Sequence, residues 1–73
     1  MQVLDTKGMN CPIPILKARK TLDTMSAGEA LEIHATDPGA VKDFEAFCRQ
    51  TGHELVESSK DGEVYKFIIQ HKK

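Results

Sequence analysis

Tryptophan is absent from this sequence, and its aromatic residues stop at Phe44, Phe47, Tyr65 and Phe67. Binding single-stranded nucleic acid without strict sequence readout needs exposed rings on which bases stack. Four rings that must also fill a core leave no such platform. An excess of charge is missing too: ten Lys and Arg face eleven Asp and Glu, a formal net of -1. Global electrostatics therefore does not mark a nucleic-acid binder, and no direct, stable nucleic-acid binding is expected. No apolar run approaches the roughly 20 residues that span a bilayer. The opening Met1-Gln2-Val3-Leu4-Asp5 lacks the basic and apolar regions of a secretory signal. A cytoplasmic location is the expectation, where free thiols are the norm and structural disulfides are rare. Cysteine is scarce, with only Cys11 and Cys48, and no pair has C-x-x-C spacing. A metal centre built from these two with His34, His53 and His71 is therefore not expected.

The 73 residues suit one domain, 1–73, with a modest core and little stability to spare. Charge is unevenly placed along it. Residues 1–28 hold Lys7, Lys17, Arg19 and Lys20 against Asp5 and Asp23, whereas residues 29–65 hold three cations against nine acids. Cys11 thus lies in a locally basic segment, which favours a thiolate or an anionic partner group there.

Hydrophobic periodicity gives the order β-α-β-α-β-β. Gln2–Asp5 reads as an opening strand and Pro12–Met25 as a helix. At 100° per residue, Ile15, Ala18, Leu22 and Met25 fall within one stripe of about 80°. Ser26-Ala27-Gly28 is the expected stop. Glu29–Ala35 alternates, with Leu31, Ile33 and Ala35 on one side and Glu32 and His34 on the other, the pattern of a half-buried strand. Asp37 reads as the N-cap of a second helix and Pro38 as its first residue, with Gly52 ending it and Val41, Phe44 and Cys48 forming its core stripe. Glu54–Ser58 and Val64–Gln70 read as strands joined by Lys60-Asp61-Gly62-Glu63, an Asp-Gly hairpin, with Tyr65, Phe67 and Ile69 on one face. Two helices of this size can cover one face of a sheet. The expected fold is therefore α+β, a two-layer α/β sandwich: a four-stranded mixed sheet with both helices on one face, and a right-handed first crossover.

The segment Gly8-Met9-Asn10-Cys11-Pro12-Ile13-Pro14 carries the most chemistry. A residue before proline is pushed towards extended backbone, the geometry of an N-cap, and proline suits the first helical position. On this reading Cys11 caps the first helix, beside the positive end of its dipole, where a sulfur anion is stabilised. Pro12 and Pro14 lack N–H groups, so Ile13 is the donor expected to reach the sulfur, helped by Lys17 and Lys7 at longer range. The two prolines also stiffen the loop, so little entropy is lost when a partner engages it. Cys48 has the opposite setting, mid-helix on an apolar stripe, as a small hydrophobe. From local physics alone, a reactive thiol and a chemically silent cap both remain open for Cys11. Ile13 shares its helical angle with Lys17 and Lys20, and Leu16 also lies off the core stripe. An exposed apolar residue flanked by Lys17, Arg19 and Lys20 reads as a docking patch for acidic partner surfaces, or as an ordinary solvated face.

These residues resemble the TusA/SirA family of small sulfur carriers. The resemblance runs through Leu4-Asp5, Gly8-Met9, Cys11-Pro12-Ile13-Pro14, Gly28-Glu29, Thr36-Asp37-Pro38 and Phe47-Cys48 to His53-Glu54-Leu55-Val56. It implies a persulfide carried on Cys11, with Gly8, Pro12, Pro14, Asp37 and Pro38 in structural roles. It also implies a carrier that is not an independent catalyst and needs no cofactor or metal. Sulfur would come from a cysteine desulfurase or rhodanese. It would pass to a relay for tRNA thiolation, or to dissimilatory sulfur enzymes. The rival readings are a regulatory or RNA-binding module without sulfur chemistry, and a thiol redox sensor. The sensor needs a resolving cysteine, and Cys48 is poorly placed for that.

Overall fold

The computed structural model describes residues 2–10 and 12–72. Its elements follow the expected order: β1 (Gln2–Thr6), α1 (Ile13–Asp23), β2 (Ala30–Ala35), α2 (Ala40–Thr51), β3 (Glu54–Asp61) and β4 (Val64–Gln70). They form one four-stranded sheet in the order β1-β2-β4-β3. β1 runs parallel to β2, from Gln2 opposite Leu31 to Thr6 opposite Ala35, while β4 is antiparallel to both β2 and β3. The sheet is therefore mixed, as expected.

Alternation in β2 and β4 places Leu31, Ile33, Ala35, Phe67 and Ile69 on the covered face, all fully buried. Against them pack α1, over β1 and β2, and α2, over β3 and β4. Ala18, Leu22 and Met25 supply the first helix's share of the core, and Ala40, Phe44, Phe47 and Cys48 the second's. Phe44 is the centre of the aromatic contacts, 4.8 Å from the Phe67 ring centroid and 6.3 Å from that of Phe47. The opposite sheet face carries Glu32 and His34, which hydrogen-bond to each other.

Several boundaries differ from the sequence reading, each for a local reason. α1 stops at Asp23, because the Thr24 and Met25 N–H groups bond three residues back, to Thr21 and Leu22, tightening the last turn. Met25 is still buried, beyond the helix. Asp37 is not the N-cap of α2, which is Gly39. Instead the Asp37 carboxylate accepts the Gly39 N–H at 3.0 Å and its carbonyl accepts the Ala40 N–H at 3.0 Å. Pro38 is thus in a turn that leads into the helix, at a position its fixed φ suits. β3 extends to Asp61, so the hairpin loop is Gly62-Glu63; Asp61 pairs with Val64 as part of the ladder. Gly62 has φ +64, and among the described residues no non-glycine residue has positive φ, the pattern of a turn with glycine at its first central position.

One turn positions the segment of interest. Met9 N–H donates to the Thr6 carbonyl at 3.1 Å, closing a turn over Lys7 and Gly8 in which Gly8 has φ +82. A Cβ there would meet nothing within 4 Å, so the demand for glycine is purely conformational. Gly8→Ala is expected to cost about 1–2 kcal/mol, the left-handed penalty. Chemical denaturation would check this, and an unchanged midpoint would contradict it.

Cys48 is 6% exposed, and desolvation pushes its thiol from 9.0 up to about 11. Burial holds the proton on in the folded state, while the unfolded chain releases it near the ordinary value. The unfolded state therefore binds fewer protons between about pH 9 and 11, and stability falls as pH rises through that window. The drop is on the order of 2 kcal/mol. Denaturation of wild type and Cys48→Ala across that window should show the two curves converging at alkaline pH; parallel curves would refute the assignment.

Candidate functional site

Parallel pairing of β1 and β2 puts the β1–α1 loop and the β2–α2 loop at the same, carboxyl end of the sheet. Cys11, the predicted sulfur-bearing residue, lies outside the described residues. Lys7 to Asn10 and Pro12 flank it in the chain and are described. The loop leaves β1 at Thr6, whose buried hydroxyl donates to the His34 carbonyl at 2.6 Å. Two residues on, Gly8 N–H donates to the Thr36 hydroxyl at 2.9 Å.

The start of α1 corrects the capping prediction. The N-cap is Pro12, at φ -97 and ψ 15, and Ile13 is the first helical residue. The physical reason is a hydrogen bond from Ile13 N–H to the Asn10 carbonyl at 2.9 Å, which shifts the helix start by one residue. The same bond occupies the donor that was expected to face the sulfur. Pro14 remains in the first turn, where a missing N–H costs nothing, and is buried. The expected help from Lys7 is also reduced. Its backbone N–H donates to the Asp5 carboxylate at 2.9 Å and its ammonium lies 3.2 Å from the same oxygen. These contacts, the backbone bond first, hold the Asp5 carboxyl below its ordinary value and offset the Lys7 charge locally.

Further along α1, Ile13 and Leu16 are 45% and 58% exposed, and Lys17 and Lys20 are exposed beside them. Arg19, predicted as part of the same patch, is set apart. It lines a cleft of about 280 Å³ with Asp23 and with Phe47, Gln50 and Thr51 of α2 and His53. At the carboxyl end of the sheet, Thr36, Pro38, Lys60, Glu63 and Tyr65 line a recess of about 160 Å³, with the Lys60 ammonium 5.4 Å from the centroid of the Tyr65 ring. Thr36 stands out in the sequence only as part of Thr36-Asp37-Pro38, and Thr6 belongs to no motif. Their partners lie 28 residues away, so no local pattern reveals them.

The remaining candidates are dispersed. His34 is on the open sheet face with Glu32, while the rings of His53 and His71 stack 4.6 Å apart at the far end of β4. Among the described residues no group of three or more His, Cys, Asp or Glu is placed to hold a metal ion. No helix among the described residues is long and apolar enough to cross a membrane.

Comparison with known proteins agrees with this architecture. A family model described as Sulfurtransferase TusA matches residues 2–71. The chain is 56% identical over 69 residues to the sulfur carrier protein TusA of Allochromatium vinosum, an alignment that covers 94% of this chain and 91% of the relative. The crystal structure of a SirA-like protein from Desulfitobacterium hafniense matches over the whole of both chains with a TM-score of 0.85, at 24% identity, a likeness of fold. On the strength of a match that spans nearly every residue, this chain belongs to the sulfurtransferase TusA family.

Proposed function

We propose that the protein is a sulfur carrier and that Cys11 holds the sulfur as a persulfide. The observation that carries this reading is the burial of Cys48. A sulfur carrier needs an ionisable, reachable sulfur. Cys48 is in the core with its thiol pushed up to about 11, which leaves Cys11, in the Cys-Pro-x-Pro segment, as the sequence's other cysteine. Family membership and the sulfur carrier named among its relatives support the same role.

The chemistry is thiol exchange without net oxidation. The Cys11 thiolate attacks the outer sulfur of a donor persulfide; a new S–S bond forms as the donor's S–S bond breaks, and the electron pair leaves on the donor cysteine. The outer sulfur on Cys11 is then attacked by an acceptor cysteine thiolate, and Cys11 departs as thiolate. The reading places a cysteine desulfurase or rhodanese as donor, in the cytoplasm. Its acceptor is a protein of a tRNA-thiolation relay or of dissimilatory sulfur metabolism. Each step needs only the thiols themselves, so no cofactor or metal enters.

Incubation with a cysteine desulfurase and cysteine should add the mass of one sulfur atom to wild type and none to Cys11→Ser. Uptake that survives in Cys11→Ser would overturn the reading.

The exposed Ile13 and Leu16, with Lys17 and Lys20 around them, supply the docking surface for such partners. Leu16→Asp should slow transfer from the protein donor by about tenfold or more while leaving alkylation of Cys11 by iodoacetamide unchanged. Lys17→Glu should lower the association rate and weaken its salt dependence. Wild-type transfer kinetics in both variants would place docking elsewhere.

A further inference from the structure

We infer that Thr36 is a positioning residue for sulfur transfer, its hydroxyl latching the β1–α1 loop to the loop that follows β2; this rests on the reading of Cys11 as carrier. The other hydrogen bonds described for this loop are local: Lys7 to Asp5, Met9 to Thr6 and Ile13 to Asn10. The bond from Gly8 N–H to the Thr36 hydroxyl instead reaches 28 residues along the chain, to a different element.

Thr36 is well suited to hold something in place, because its own backbone is fixed on both sides. Before it, Ala35 is fully buried and paired with both Thr6 and Tyr65. After it, the Asp37 carboxylate accepts the Gly39 N–H and ties down the approach to α2. A β-branched side chain also has few rotamers, so the hydroxyl presents its lone pair in a defined direction. Gly8, the residue it holds, has no side chain and adopts φ +82, the most freely moving kind of position in a loop when left untethered. The two prolines at 12 and 14 stiffen the segment after Cys11. Before Cys11 no proline does so, and the latch takes that part.

This arrangement bears on rate more than on stability. Exchange at sulfur requires the attacking sulfur to meet the outer donor sulfur in one alignment, and effective molarity is lost steeply when a reacting atom wanders. The latch therefore acts within the docked complex. It does not create the docking surface, which is on α1.

Thr36→Val removes the acceptor and keeps the shape, while Thr36→Ser keeps a hydroxyl. Single-turnover sulfur uptake from a desulfurase with cysteine should show Thr36→Val about fivefold to tenfold slower at saturating donor, with the half-saturating donor concentration unchanged. Thr36→Ser should return to within about twofold of wild type. A wild-type rate in Thr36→Val, a loss confined to donor affinity, or failure of serine to restore the rate would overturn the latch. Amide hydrogen exchange of Gly8 in the wild-type protein gives a test that needs no variant. Protection is expected, and exchange at the rate of an unstructured loop would be contrary. Cys11→Ser, run alongside, separates the two ideas: uptake in that variant defeats the carrier reading. Its absence, with Thr36→Val at wild-type rate, defeats the latch alone.

Discussion

β1 and β2 run side by side in the same direction, and strands so paired cannot be joined by a tight turn. The chain has to leave the carboxyl end of β1, cross the sheet as α1 and re-enter at the amino end of β2. That requirement sets the loop after Thr6 beside the loop after Ala35, where the Gly8 N–H bond to the Thr36 hydroxyl joins them, just beyond the Thr6 bond to His34 between the strands. It also brings α1 across the sheet so that Ala18 and Leu22 face inward while Ile13, Leu16, Lys17 and Lys20 face outward. Loops at the carboxyl end of parallel strands are a common location for chemistry, since a rigid frame there can hold a short, exposed segment.

The same core that packs both helices on the sheet encloses Cys48. On α2, the residues facing the sheet are Phe44, Phe47 and Cys48, and a thiol among them loses the water that would stabilise its anion. Core packing thus removes one cysteine from the chemistry by the ordinary action of burial. Among the described residues nothing comparable is built around histidine: His34 is on β2, whereas His53 and His71 lie together just outside β3 and β4.

Much of this fold was legible wherever one face of an element is buried. The alternation of Leu31, Ile33 and Ala35, and the helical spacing of Ala18, Leu22, Phe44 and Cys48, read directly because burial imposes a period. β3 was legible only in part. Most of its residues are exposed, and the register shifts between Leu55 and Glu57, so its pattern changes phase and its length was underestimated. The helix starts were missed by one or two residues because backbone bonds, Ile13 to Asn10 and Ala40 to Asp37, set them more than residue preference did. At the candidate site, the motif and the exposed Ile13 and Leu16 were visible in sequence. The diversion of Lys7 to Asp5, the separation of Arg19 and the bond from Gly8 to Thr36 were not, because each depends on where groups meet in three dimensions.

The central claim is that one thiol carries sulfur while the other stays protonated in the core. Peptide-resolved mass spectrometry of protein trapped by rapid alkylation during turnover with a persulfide donor tests it most directly. The account predicts the added sulfur on the peptide that contains residue 11 and an unmodified residue 48 until the protein is unfolded. Added sulfur on the peptide containing residue 48, or shared equally between the two, would contradict it.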